Sequence, residues 1–193
     1  MRSKAKTKDL KNLGVFNTQD ALQAGFSQPT LSRLAASGEI IRLEHGIFHH
    51  KNAKLNFAHL DFIVATKRFG HDCVIGLMSA LTFHGLIEQV PEQIWILVPP
   101  AVKTSSRRYH CMRVKTSLKI GIELHKNFAI TNIERTICEA FKHSTKVGLD
   151  VAVRAARFAL KKKLTTAPKI LKQAKELKME KFVIRYWEAI TID

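Results

Sequence analysis

Gln28, Thr30, Ser32 and Arg33 sit close together, and their side chains suit contact with a polar, hydrogen-bonding surface. An amide, two hydroxyls and a guanidinium pair well with base edges and phosphate oxygens in a DNA major groove. Arg33 is the leading candidate, because a forked guanidinium clamps a guanine edge or a phosphate through two bonds. An ion pair with Glu39 is its competing role. Ser27, Gln28 and Thr30 can equally serve to cap a helix start. Arg42 and His45 lie farther along, where they would meet the phosphate backbone or a minor groove. Arg107 and Arg108 close the basic stretch KTSSRR, and Arg154, Arg157 and Lys161–Lys163 form another cluster. Runs of charge are more often solvated faces than contact sets.

The elements that must position these groups can be read from residues 18–50. Thr18 is suited to cap a first helix, whose small apolar face is Ala21, Leu22 and Ala24. Gly25 ends that helix with the positive φ a turn requires. Ser27 then caps a second helix, and Pro29 fits its first turn, where a missing N–H costs little. Leu31, Leu34 and Ala35 recur at i, i+3 and i+4, so they face inward and leave Gln28, Thr30, Ser32 and Arg33 outside. Gly38 closes the helix. Ile40, Ile41 and Leu43, then Ile47 and Phe48, flank Glu44-His45-Gly46 as a hairpin. The pattern predicts a winged helix-turn-helix that binds DNA, with an adaptor that binds protein as the competing class.

Charge supports a polyanionic partner. The 193-residue chain carries 32 Lys and Arg against 16 Asp and Glu, a net charge of +16. Residues 61–193 hold twenty-three of those cations against twelve acids, so most of the positive field lies outside the predicted reader. No apolar run is long enough to span a membrane, and the basic start is followed by no hydrophobic signal region. Cys73, Cys111 and Cys138 are too few and too scattered for a disulfide framework, which fits a reducing cytoplasm.

Beyond the reader, residues 2–13 are a basic lead-in with Lys4, Lys6, Lys8 and Lys11. Leu55–Phe69 has helical spacing and Gly70 ends it. A helix over 76–86, a buried strand at Ile94–Val98 and strands at 112–116 and 120–124 follow. Thr131-Asn132-Ile133-Glu134 has the form of a capping box opening another helix. Helices over 146–163, after Thr166, and over 182–190 complete the chain, with Val147, Val151, Ala155 and Phe158 expected inward. The predicted class is α+β: a winged helix-turn-helix at 1–54, then a mixed α/β domain at 55–193 with a helical C-terminal end.

Other chemistry finds little support. His45, His49 and His50 cluster, but no His pairs with Cys or an acid at a metal-ligand spacing, so no metal or other cofactor is expected. Glu176-Leu177-Lys178 echoes a nuclease motif, yet falls on a helix without a partner Asp. There is no phosphate loop and no nucleophile elbow. A nuclease or nucleotidyltransferase with a winged-helix targeting module is the alternative, and catalysis is not expected.

Leu31-Ser32-Arg33-Leu34, Gly38–Leu43 with Gly46-Ile47-Phe48, Ser79–Leu86, Ile94–Pro99 and Ile130–Ile137 occur in an order and spacing that resembles the AbiEi-type antitoxins. These are the transcriptional-repressor half of bacterial abortive-infection toxin–antitoxin pairs. The resemblance implies a winged helix that binds inverted repeats in double-stranded DNA upstream of its own operon. It also implies a C-terminal domain that supports cooperative binding and counteracts a nucleotidyltransferase-like toxin, without need of a stable complex. A monomer per repeat or a weak dimer is expected on DNA.

Overall fold

The computed structural model describes residues 10–55, 59–115 and 117–191. The lead-in lysines 4, 6 and 8, the start of the helix expected from Leu55, and Thr116 lie outside them in whole or part. Two compact units divide the chain, Met1–His71 and Asp72–Asp193.

In the first unit a helical turn at residues 10–12 precedes β1 (Val15–Asn17), α1 (Thr18–Gln23), α2 (Gln28–Ala36), β2 (Ile40–Glu44), β3 (Ile47–His50) and α3 (Leu60–Phe69). The strands form an antiparallel sheet ordered β1-β3-β2, with Phe16 opposite Phe48 and Phe48 opposite Arg42. Alternation along each strand sends Phe16, Phe48 and Ile40 to one face. There they pack with Leu10, Ala21, Phe26, Leu31 and Leu34. The opposite face carries Val15 and His49, also buried, and α3 packs on β1 and β3.

That last contact shifts the division of the chain from the expected 54/55 boundary to His71. Lys67 Nζ reaches Asp20 Oδ2 at 2.8 Å, Arg68 Nη1 reaches Glu44 Oε1 at 2.7 Å, and the Asn17 amide donates to the Lys67 carbonyl. A helix expected only to connect is thus fastened to the sheet. The first cap also differs. Asn17, not Thr18, caps α1: its side chain accepts from the Asp20 N–H while Asp20 accepts from the Asn17 N–H. Thr18 is occupied elsewhere, as described below.

The second unit contains β4 (Val74–Ile75), α4 (Leu77–Phe83), β5 (Ile94–Val98), β6 (Tyr109–Arg113), β7 (Ile122–Leu124) and β8 (Ala129–Thr131). Six helices follow: α5 (Ile133–Lys142), α6 (Ser144–Val147), α7 (Leu149–Lys161), α8 (Ala167–Glu176), α9 (Glu180–Ile184) and α10 (Trp187–Thr191). The sheet order is β6-β5-β4-β8-β7, with β5–β6 and β4–β8 parallel and the other pairs antiparallel. Ile96, Leu97 and Val98 are buried on successive faces, as the unbroken apolar run predicts.

Several elements depart from the sequence reading. The strand expected at 112–116 begins at Tyr109, because five consecutive residues pair in register with β5. The single last helix is two short ones. On α7 the buried stripe is Ala152, Ala155, Ala156 and Ala159, whose small side chains let α5 approach closely, whereas Phe158 is 40% exposed. Thr131 does not cap α5; Asn132 does, accepting from the Arg135 N–H. The Thr131 and Thr136 hydroxyls bond each other, and Glu134 accepts from Thr165.

Arg135, directly after the expected capping box, is completely buried. Its Nε donates to Glu139 Oε1 at 2.9 Å, one turn along α5 and equally buried. Nη1 donates to the carbonyls of Ser117 and Ile120, pinning the loop that enters β7. Burial pushes the Glu139 pKa up, against the pull of Arg135. One turn farther, His143 is driven down to about 4, by burial first and then by Lys142 and Lys146. Cys73 and Cys138 are fully buried, and burial pushes both thiols up to about 12. Cys111 is half-buried.

Removing one member of a buried ion pair strands the other, at about 3–5 kcal/mol. Arg135→Ala is therefore expected to lower the unfolding free energy by about that much in urea titrations, while loss of the exposed Arg154–Asp150 pair changes it by about 1 kcal/mol or less. The depressed His143 pKa stabilises the native state above the unfolded value of 6.5, and that stability drains as pH falls toward about 4. Wild type should accordingly lose stability relative to His143→Gln between pH 7 and 4, measured as the gap in Tm across that range.

Candidate nucleic-acid interface

The exposed face of α2 follows from its burial pattern. Leu31 and Leu34, 3% and 7% exposed, dock on the sheet. Each such side chain contributes about 1.5–3 kcal/mol. Gln28, Ser32 and Arg33 are left in solvent, and Thr30 is half-buried. Ser27 is extended at φ −92°, ψ 157°, and its hydroxyl accepts from the Thr30 N–H at 3.4 Å. The Ser27 and Thr30 hydroxyls are also 2.9 Å apart, so both have a capping role. Gln28 and Ser32 keep their polar ends outward beside Arg33. Glu39, the alternative partner considered for Arg33, influences His50 instead: burial lowers the His50 pKa and Glu39 opposes that shift.

The wing is a tight turn. Gly46 adopts φ +72°, a conformation that disfavours any side chain. Its carbonyl accepts from both the Thr18 N–H, at 2.9 Å, and the Thr18 hydroxyl, at 3.3 Å. The turn is thereby held at the start of α1, with His45 exposed. Between Arg42 and Glu44 the pairing with β3 shifts register, which sharpens the twist of β2. The Arg42 guanidinium lies 5.5 Å from the centre of the Phe48 ring. Phe48 belongs to the cluster under α2, so Arg42 emerges on the α2 side of the sheet. Ser27, Gln28, Ser32, Arg33, Arg42 and His45 are all solvent-exposed around this helix and wing.

Arg107 and Arg108 belong to the second unit, in the segment between β5 and β6. Arg107 is exposed and its carbonyl accepts from Gln93; Arg108 is half-buried and its carbonyl accepts from the Ile94 N–H. Gln19, in the first turn of α1 beside the wing turn, is exposed as well. Glu176 of the nuclease-like echo lies at the end of α8 and accepts from Gln173, far from strand geometry.

A helical turn, strand, two helices and a two-stranded wing in this order are the parts of a winged helix-turn-helix. Residues 6–48 match the family of the transcriptional regulator AbiEi antitoxin. The match ends inside β3, so the AbiEi-type segment is the helix-turn-helix with its wing, and α3 and the second unit lie beyond it. No curated protein matches the chain. Among the described residues no helix is long and apolar enough to cross a membrane, and no three His, Cys, Asp or Glu side chains gather as a metal site.

The wing turn gives a direct test of this AbiEi-type segment. A Cβ on Gly46 would touch Thr18 Oγ1 at 3.4 Å, and the left-handed backbone adds strain of about 1–2 kcal/mol. Gly46→Ala should destabilise the first unit by about that amount, read by hydrogen exchange of β1 and β3 amides.

Proposed function

We propose that the chain is a sequence-specific repressor that reads double-stranded DNA through α2 and the wing. The carrying observation is the exposed face of α2, which presents an amide, a hydroxyl and a guanidinium with no acid between Ser27 and Gly38. Arg33 supplies the base or phosphate clamp, Gln28 and Ser32 flank it, and Arg42 and His45 meet the backbone at the wing. Ser27 and Thr30 fix the entry of the helix and approach phosphate through the same hydroxyls. The match of residues 6–48 to the AbiEi antitoxins supports an antitoxin role in a toxin–antitoxin operon. In that reading the protein works in the cytoplasm and represses its own promoter at inverted repeats, as a monomer per repeat or a weak dimer. It opposes a nucleotidyltransferase-like toxin without catalysis of its own. Arg107 and Arg108 of the second unit extend the phosphate contacts, consistent with its twenty-one Lys and Arg against eleven acids over residues 72–193.

Quantitative operator binding tests this. Arg33→Ala should weaken binding by about 1–3 kcal/mol and relax preference at one base position. Gln28, Thr30 and Arg33 replaced together by alanine should abolish discrimination between operator and unrelated duplex. Arg107→Gln should leave preference intact and lower the salt slope by about one. Undiminished operator binding by the triple variant, with its fold retained, overturns the proposal.

A further inference from the structure

We propose that the second unit holds a docking cleft for an acidic, amphipathic segment of a partner protein. The cleft lies between residues 85–89 and α7 and measures about 390 Å³. That is within the range of about 300–1,000 Å³ that ligand pockets occupy, and room for one or two apolar side chains. Its wall on α7 is Val151, Arg154 and Phe158, spaced i, i+3 and i+7 on one stripe. The facing wall is the segment 85–89, where Ile87 offers apolar surface and Glu88 and Gln89 polar groups. Phe158 is 40% exposed although the alanines beside it are fully buried. A large ring held in solvent at the mouth of a recess of mixed polarity is the arrangement that an incoming side chain completes.

Charge around the recess selects the occupant. Arg154 projects from the middle of the apolar stripe, and its pairing with Asp150 is between side chains each 73% exposed, so it exchanges readily for another carboxylate. Lys162 Nζ sits 5.9 Å from the Phe158 ring centre, and Lys161 is exposed beside it. Glu88 and Asp150 are the opposing acids, within a unit that carries a surplus of ten positive charges. A second copy of this chain would bring like charge to this rim. A nucleic-acid backbone would match the cations but gain nothing from Ile87, Val151 and Phe158. A protein segment with an apolar anchor and flanking Asp or Glu satisfies both parts. The inference does not depend on the DNA reading of the first unit.

The probe is a fluorescent amphipathic peptide with leucines along one face and glutamates elsewhere, compared with a version carrying lysines in place of the glutamates. Anisotropy with the full chain should show binding of the acidic peptide only. Phe158→Ser and Arg154→Gln should each weaken it by about tenfold, the loss of one anchor of about 1.4 kcal/mol. Lys175→Gln on α8, outside the cleft, should change it by less than about twofold, and Phe158→Ser should leave operator affinity unchanged. Three results overturn the proposal. One is equal weakening by Lys175→Gln, which marks diffuse attraction. Another is displacement of the peptide by unrelated duplex DNA. The last is self-association that Phe158→Ser abolishes, which assigns the cleft to a second copy.

Discussion

The packing of Leu31 and Leu34 onto the Phe16–Phe48 face is the contact on which the first unit depends. It fixes which side of α2 meets the sheet, and so which side meets solvent. The polar face around Arg33 is a consequence of that burial. The same face of the sheet carries Arg42, so one apolar interaction aligns helix and wing on a common side. Behind it, α3 packs on β1 and β3 and ties α1 and the wing strand β2 through Asp20 and Glu44. A short three-stranded sheet that would be marginal alone is thus enclosed on both sides.

The second unit rests on a different kind of constraint. A guanidinium with no exposure is tolerable only where carboxylate and carbonyls surround it. Arg135 meets that condition by gathering Glu139 and the loop at Ser117–Ile120. Gly121 next to it has no room for a side chain, since a Cβ would come within 2.9 Å of Arg135. The loop, the start of β7 and helix α5 are therefore mutually determined.

How much of this was readable from sequence depends on the range of the interactions. The two helices, the hairpin and the positive-φ glycines of the first unit are set by neighbours a few residues apart, and they appear where expected. Caps were misplaced by one residue at Asn17 and Asn132, because a Thr and an Asn side by side offer the same chemistry. Only the strand that precedes each decides which is extended. The docking of α3 was invisible for a different reason: its partners, Asp20 and Glu44, are distant in sequence and look like ordinary surface acids. Arg135 and Glu139 lie one helical turn apart, and nothing local reveals that α8 and a loop close over them. Phe158 was placed inward by periodicity, but the close approach of α5 and α7 admits only alanine at the contact. For the residues proposed to contact DNA, the pattern points to the outward face of α2 and the structure shows it exposed.

The sulfur atoms give the molecule a chemical temperament of its own. With thiols raised to about 12, Cys73 and Cys138 present roughly one thiolate in 10⁵ at neutral pH. Peroxides and disulfide-exchange partners attack thiolates, so burial and the raised pKa together disfavour reaction at Cys73 and Cys138. Any redox response of the chain would therefore not run through the thiolates of Cys73 and Cys138.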